Sequence, residues 1–453
     1  MRKILYYQVL FCVWLGLLLV ADTLQAAVQA DTLELTLEVS IERALKRNLQ
    51  VQQDMLSIEN EKVAVDRTRA SLLPSVGAIS RYNYNVGRSV NPITNDFTDQ
   101  PVRSQDYGIS AELTVYDGWR NIRTIRNQKD ALLAARYDLS ATERQTVLSV
   151  MDAYLTVLLR RELWEEARQR TQETEEELQR TQLLVTAGEV SPTNLTQLRA
   201  QRAEDQLTAI RSRNDWQLAQ LQLRQLLFVP VDQPVRVVSP KLVEETLPIT
   251  QPLVALYRQA QQVDPALKGA TVRKTMAQRN IKIAQGAYLP TVSLNAGGYS
   301  SYSDTPPPYL ETYSYAEQLD FNLRKYISVE LSIPIYNQGQ VKSRVQQAKI
   351  DQQRASVSLV QQEQQLWEAL ETAYWNAKSS WKEYEAAQER DTTAREAFGS
   401  ATTQFELGVI DVINYSQAKR RLNEAVAARV QSKYQIVFYR KMLAFYQQPL
   451  RKP

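Results

Sequence analysis

From Trp119 to Thr186 the chain contains neither glycine nor proline, and apolar residues return at helical spacing through Ile122, Ile125, Leu132, Val147, Val150, Tyr154, Leu158 and Leu163. One uninterrupted helix over that stretch would reach about 100 Å at 1.5 Å per residue. A second run, from about 340 to Glu406, repeats the pattern with Gly399 as its only internal glycine. No compact domain encloses a rod of this length, so each must lie along other helices in an extended bundle. Composition agrees: 13 Gly and 17 Pro in 453 residues leave material for few turns, while 44% apolar and 23% charged residues suit a folded, mainly helical chain.

Much chemistry is excluded. Histidine is absent and Cys12 is the only cysteine, which removes the usual zinc and copper ligands and the general base of Ser/His or Cys/His catalysis. No enzyme activity, cofactor or metal site is expected. The charge balance of 54 basic against 50 acidic residues gives +4, too small a footprint for nucleic acid. The run Glu173-Thr174-Glu175-Glu176-Glu177 resembles an acid cluster, but on so polar a rod it reads as a solvated face with basic neighbours. Trp367, Trp375 and Trp381 read as packing residues rather than ligand contacts, or alternatively as residues near a water boundary.

Residues 1–30 carry the order of a secretory signal: Arg2 and Lys3, an apolar run from Val9 to Ala21, and small residues ending in Val28-Gln29-Ala30. Beyond residue 30 nothing approaches the roughly 20 apolar residues of a membrane helix. A chain like this crosses a bilayer only with strands.

Shifting the sequence on itself by about 216 to 220 residues brings sparse features into register, the mark of an internal duplication. Ala44 falls on Ala260, Leu73-Pro74 on Leu289-Pro290, Tyr116 on Tyr336, Ala153-Tyr154 on Ala373-Tyr374, Gly188 on Gly408, Asn194 on Asn414 and Gln197 on Gln417. The spacing predicts two structural repeats, 31–229 and 251–448, joined by a proline-bearing linker 230–250 (Pro230, Pro234, Pro240, Pro248) and followed by a tail, 449–453. Each repeat reads as helix, two strands, very long helix, turn, helix. The leading helices are expected over about 38–72 and 251–288.

After Pro74 and Pro290 the period changes to two. Ile109, Ala111, Leu113 and Val115 alternate with polar residues, as do Val329, Leu331, Ile333 and Ile335. Segments at about 75–87 and 291–302 alternate less cleanly, with Tyr82, Tyr84, Tyr299 and Tyr302 near their ends. Strands greasy on one side and tyrosine-rich at the rims suit a membrane β-barrel; the same alternation suits a half-buried soluble sheet. Long polar loops, about 88–105 and 303–324, join the strand pairs, the second containing Pro306-Pro307-Pro308.

The long helices end at Val185-Thr186-Ala187-Gly188-Glu189-Val190-Ser191-Pro192 and at Phe405-Glu406-Leu407-Gly408-Val409-Ile410-Asp411. Glycine supplies the left-handed residue that closes a helix, Ser191 and Asp411 can cap the next one, and Pro192 fits its first position. These are reversals of direction.

Arranged in this way, the sequence resembles the outer-membrane efflux protein family, the TolC-like channel-tunnels of Gram-negative bacteria. The resemblance rests on Leu73-Pro74 and Tyr288-Leu289-Pro290 before the strands, on Leu113-Thr114-Val115-Tyr116-Asp117-Gly118 and Ile333-Pro334-Ile335-Tyr336-Asn337-Gln338-Gly339 at the strand-to-helix passages, and on the glycine turns followed by Asn194 and Asn414. Asp264-Pro265-Ala266-Leu267 is like the family's Asn-Pro-x-Leu, whereas Asn48-Leu49-Gln50-Val51 lacks the proline.

The resemblance implies a mainly α fold with membrane β: long antiparallel helical hairpins forming an α-barrel, and four strands per chain contributing to a trimeric twelve-stranded β-barrel. It implies a homotrimer in outer-membrane lipid, extending into the periplasm, that serves as a passive export duct of a tripartite efflux or type I secretion system. A periplasmic adaptor (membrane fusion) protein and an inner-membrane pump would be its partners. The adaptor-docking turns would be Val185, Gly188, Phe405 and Gly408, and the periplasmic entrance would be lined by Asp411, Asn414, Ser191 and Asn194. Asn414 stands where a second Asp is found in some members, so a weakened acidic ring is expected. The rival reading is a periplasmic coiled-coil adaptor or scaffold protein; an exported hydrolase with paired carboxylates is a distant third.

Overall fold

The computed structural model describes residues 33–90, 95, 97–99, 101–239, 251–304 and 313–448. The signal at 1–30, Pro240, Pro248, Pro306 to Pro308 and the tail 449–453 lie outside the described residues. In chain order the elements are β1 (Leu33–Leu35), α1 (Leu37–Arg47), α2 (Leu49–Ala70), β2 (Ser75–Asn85), β3 (Ser89–Val90), β4 (Phe97–Thr98), β5 (Val102–Tyr116), α3 (Arg120–Thr186), α4 (Pro192–Leu226) and β6 (Val235–Val237). Then come α5 (Leu253–Val263), α6 (Pro265–Gly286), β7 (Thr291–Ser303), α7 (Tyr315–Phe321), β8 (Arg324–Ser332), α8 (Gln340–Glu406) and α9 (Val412–Gln447). Both expected rods are present: α3 and α8 each run for 67 residues without a break.

The leading helices are shorter than expected because each breaks once. Asn48 leaves the helical region (ψ 125°) and its side-chain oxygen accepts the Gln50 and Val51 N–H groups at 2.8 and 3.2 Å. At the matching place Asp264 is extended and Pro265 opens α6. Asparagine does by side-chain capping what proline does by lacking a donor.

The chain divides into two compact units. One comprises 54–139 and 265–364 and contains a four-stranded sheet of order β2-β5-β7-β8, antiparallel throughout. Register fixes its faces. Val76, Ala111, Ala296 and Ile327 line up across the four strands, with Leu113, Leu294 and Val329 beside them, all on one side. Ser75, Glu112, Asn295 and Ser328 line up on the other. Both edge strands, β2 and β8, are exposed almost along their whole length. β8 ends at Ser332, before the expected Ile333 and Ile335, because Pro334 cannot donate to a ladder; Ile335 is left 95% exposed. The second loop holds α7, a helix too short for a periodic signal, closed by a capping box between Ser314 and Glu317.

The long helices α2, α3, α6 and α8 join the sheet at the end away from α7, and the passage into α3 is tightly built. Gly118 and Trp119 have φ of 72° and 65°, and Gln338 and Gly339 repeat this with 54° and 74°. The Asp117 carboxylate accepts the Asn121 N–H at 2.8 Å, tying down the start of α3. A Cβ on Gly118 would stand 2.3 Å from the Gly286 carbonyl, so two backbones meet where no side chain fits. Ion pairs Arg273–Asp138 and Arg279–Asp130 then hold α6 along the first turns of α3.

The other unit comprises 1–53, 140–264 and 365–453. Its core gathers Leu35, Val150, Tyr154, Leu158, Leu223, Leu227, Val430 and Tyr434. The stretch read as linker contributes β6, which pairs in parallel with β1. Tyr154 holds this ribbon: its buried hydroxyl bonds the carbonyls of Leu35, at 3.2 Å, and Val238. Tyr154→Phe removes the donor of the half-buried Val238 carbonyl, while the Leu35 carbonyl keeps the Val238 N–H at 3.0 Å, and is expected to lower stability by about 1 kcal/mol, measured by chemical denaturation. At the end of α9, buried Arg144 donates to the Phe445 carbonyl at 2.8 Å and lies over the Phe445 and Tyr446 rings.

Candidate functional site

The turns after α3 and α8 have the same geometry. Glu189 N–H bonds the Leu184 carbonyl and Gly188 N–H that of Val185, at 2.9 and 3.1 Å; Val409 N–H bonds Gln404 and Gly408 N–H bonds Phe405, at 2.8 and 3.0 Å. Gly188 and Gly408 are left-handed, with φ of 77° and 72°. This paired bonding closes a helix on glycine. Ser191 then caps α4 by accepting the Thr193 N–H, with Pro192 in the first turn, and Asp411 caps α9 by accepting the Asn414 N–H at 2.9 Å. Ser191, Asp411, Asn414 and both glycines are exposed, while Asn194, Val185 and Phe405 are partly covered.

The structure brings the two turns together around a cleft of about 890 Å³, lined by Ser191 and Asn194 from one side and Phe405, Gly408 and Asp411 from the other. Val185, Gly188 and Asn414 are not part of its lining. The Arg180 guanidinium bridges to Glu406 at 2.9 Å. Around the rim, Leu183, Leu407, Val409 and Ile413 stand in solvent, more than half exposed, a concentration of apolar surface at the turns.

Glu177, Tyr415 and Lys419 of the cleft lining open a largely buried polar network with no separate mark in the sequence. Tyr415 is sandwiched by Phe405 (centroids 4.9 Å apart) and Phe398 (5.4 Å), and its hydroxyl donates to Glu177. Lys419, only 3% exposed, donates to the Thr174 hydroxyl at 2.7 Å, which reaches the Asp205 carboxylate at 2.6 Å; Gln201 donates to the same carboxylate. The residues thus tie α9 to α3 and α4. Glu177 departs from the solvated face expected of the acidic run. Glu175 fits it, paired with Arg202.

Burial pushes the Glu177 carboxyl above its ordinary pKa, opposed by the Tyr415 hydrogen bond and the Lys419 charge, and burial with that hydrogen bond pushes Tyr415 far up. A carboxyl raised in the folded state binds more protons there, so its contribution favours folding at low pH and is lost as pH rises through the folded value. Glu177→Gln keeps an acceptor for Tyr415 without the charge. The variant is expected to be the more stable at pH 7 and to gain less than wild type on acidification toward pH 5, read by urea denaturation at both pH values.

Among the described residues no group of His, Cys, Asp or Glu forms a metal site, and no helix is long and apolar enough to cross a membrane.

Comparison with known proteins decides the family. A profile described as "Outer membrane efflux protein" matches residues 40–227 and again 256–444. The chain belongs to the outer membrane efflux protein family. The family is one of channels, and the chain is an outer-membrane protein that reaches into the periplasm of a Gram-negative cell. It is similar to the outer membrane protein TolC of Escherichia coli K12, 23% identical over 82% of this chain and 73% of TolC. It is also similar to the outer membrane efflux protein BepC of Brucella suis biovar 1, 24% identical over 83% and 75%. Among solved structures, CusC superposes with a TM-score of 0.78 over 91% of this chain and 92% of CusC, at 16% identity. The fold is therefore that of these channels, long helical hairpins for an α-barrel and four strands for a β-barrel, and family membership sets the adaptor reading aside.

Proposed function

We infer that this efflux family member is the outer-membrane channel of a tripartite efflux or type I secretion system, a passive duct assembled as a homotrimer. The observation that carries this reading is the two-faced sheet with two unpaired edges. One face is apolar and the other polar, and neither edge has a strand partner among the described residues. A bilayer admits such a sheet only when it is closed; three copies supply twelve strands, with β8 of one chain beside β2 of the next. The apolar side then meets lipid and the polar side lines water.

The glycine turns serve as the docking rim for a periplasmic adaptor linked to an inner-membrane pump. Leu407 and Val409 flank Gly408 in solvent, and Val185, Gly188 and Phe405 shape the turns beneath them. Ser191, Asn194, Asp411 and Asn414 surround the entrance. The double match to the family profile supports 31–229 and 251–448 as structural repeats joined by 230–250.

Fractionation tests the reading: the protein should be extracted from the outer membrane and migrate as a heat-sensitive trimer, and recovery as a soluble monomer would overturn it. At the entrance, Asp411→Ala should reduce cation block in single-channel recordings and, through the lost cap, lower stability by about 1 kcal/mol. Unchanged cation sensitivity would remove Asp411 from the constriction.

A further inference from the structure

β8 stops short of its neighbour. It begins at Arg324, opposite Tyr299, whereas β7 continues to Ser303, so among the described residues the far end of β7 has no strand on that side. α7 and the residue after it occupy the place. The Asn322 amide donates to the Ser301 carbonyl at 2.8 Å, the Ser303 N–H donates to Gln318 at 3.4 Å, and the Ser300 hydroxyl donates to the Leu319 carbonyl at 2.5 Å.

The helix leans over the apolar face of the sheet. Tyr315 donates to Gln105 at 2.6 Å, shares a hydrogen bond with Tyr107 at 2.7 Å and packs on the Tyr302 ring at 4.7 Å. By register Gln105, Tyr107 and Tyr302 lie on the same face as Ile109. Next to α7, bounded by Tyr107 and Leu323, lies a shallow groove of about 510 Å³ lined by Ala78, Ser80, Ile109, Gly298 and Ser300, which Ile79, Gly108 and Tyr299 also reach. Lys325 stands opposite Gly298 in the ladder, on that same face, exposed and without an ion pair among the described residues.

An apolar trough next to aromatic rings, with an ammonium group beside it, fits an acyl chain that carries a phosphate at its head. Strand edges meet neighbouring copies in the plane of the sheet, whereas this groove opens perpendicular to that plane, toward lipid. The loops stand at the end of the sheet opposite the helices, so the groove lies on the side of the outer leaflet. We propose that the groove next to α7 binds a phosphorylated glycolipid of the outer leaflet, with one acyl chain against Gly298 and a phosphate on Lys325. The proposal rests on the reading above that the apolar face meets lipid.

The test uses the full-length protein extracted from outer membranes in mild detergent, with bound lipopolysaccharide counted by native mass spectrometry and by thermal protection on adding purified lipopolysaccharide or phosphatidylcholine. Lys325→Gln should raise the lipopolysaccharide concentration needed for protection about fivefold. Gly298→Leu, where a Cβ meets nothing closer than 3.7 Å, should fill the groove and abolish retention while the trimer remains. Equal retention by both variants, or equal protection by phosphatidylcholine, would overturn the proposal. So would variants that weaken the trimer in lipid-free detergent, since the groove would then belong to a neighbouring subunit. Absence of the wild-type protein from the outer membrane would instead sink the channel reading.

Discussion

A Gly118→Val chain is expected to lose about 3–5 kcal/mol of stability and to yield no folded sheet in the outer membrane. Two penalties act together. The left-handed φ of 72° is disfavoured for any residue with a β-branch, and the new Cβ would fall on the backbone of α6 at the Gly286 carbonyl. Neither obstacle is a flexible side chain that can swing aside. Gly77, near the start of β2, provides the control: it has no positive φ and nothing within 4 Å of an added Cβ. Gly77→Ala should therefore change stability by no more than about 0.5 kcal/mol. Heat-modifiability gels and protease resistance of membranes from both variants decide the point; equal behaviour would mean that the passage yields where the structure shows it closed.

Lys419→Met is expected to cost about 2–3 kcal/mol and to loosen the cleft between the two turns. The methionine matches the lysine stem in length but removes the charge that Thr174 and Asp205 surround. Arg170, held near Asp205, still opposes that carboxylate and keeps the loss below that of a fully orphaned charge. The double variant Lys419→Met, Asp205→Asn should recover much of the stability, because a neutral amide no longer needs the ammonium group. Conductance should not recover with it, since the tie from α9 to α3 and α4 stays broken. Denaturation curves and single-channel recordings of the three variants separate these effects.

The parts of the fold that follow from local rules were legible in the sequence. An absence of glycine and proline is a property of the segment itself, so α3 and α8 could be read to within a few residues. The turns could be read because Gly188, Ser191, Gly408 and Asp411 each do a job that few residue types can do. What escaped depends on residues far apart in the chain. β1 and β6 pair across 200 residues, and neither three-residue strand carries a pattern of its own. Asn48 was read as lacking the proline of its counterpart, although its side chain produces the same break. The buried roles of Glu177 and Lys419 are invisible because a charged residue is buried only when another helix covers it. Tyr415 carried a signal that could have been used: it stands one residue after Asn414, on the helix the turn begins, with Phe398 and Phe405 shortly before.

The bare edges of β2 and β8 have a consequence for biogenesis. A solitary newly exported copy holds backbone donors and acceptors that hydrocarbon cannot satisfy, so it has no stable resting place in the bilayer. On the trimeric assembly proposed above, association in the aqueous compartment comes first, and membrane insertion follows as a joint act of the three copies. The yield of finished pores should then fall more steeply than the supply of chains when synthesis is throttled.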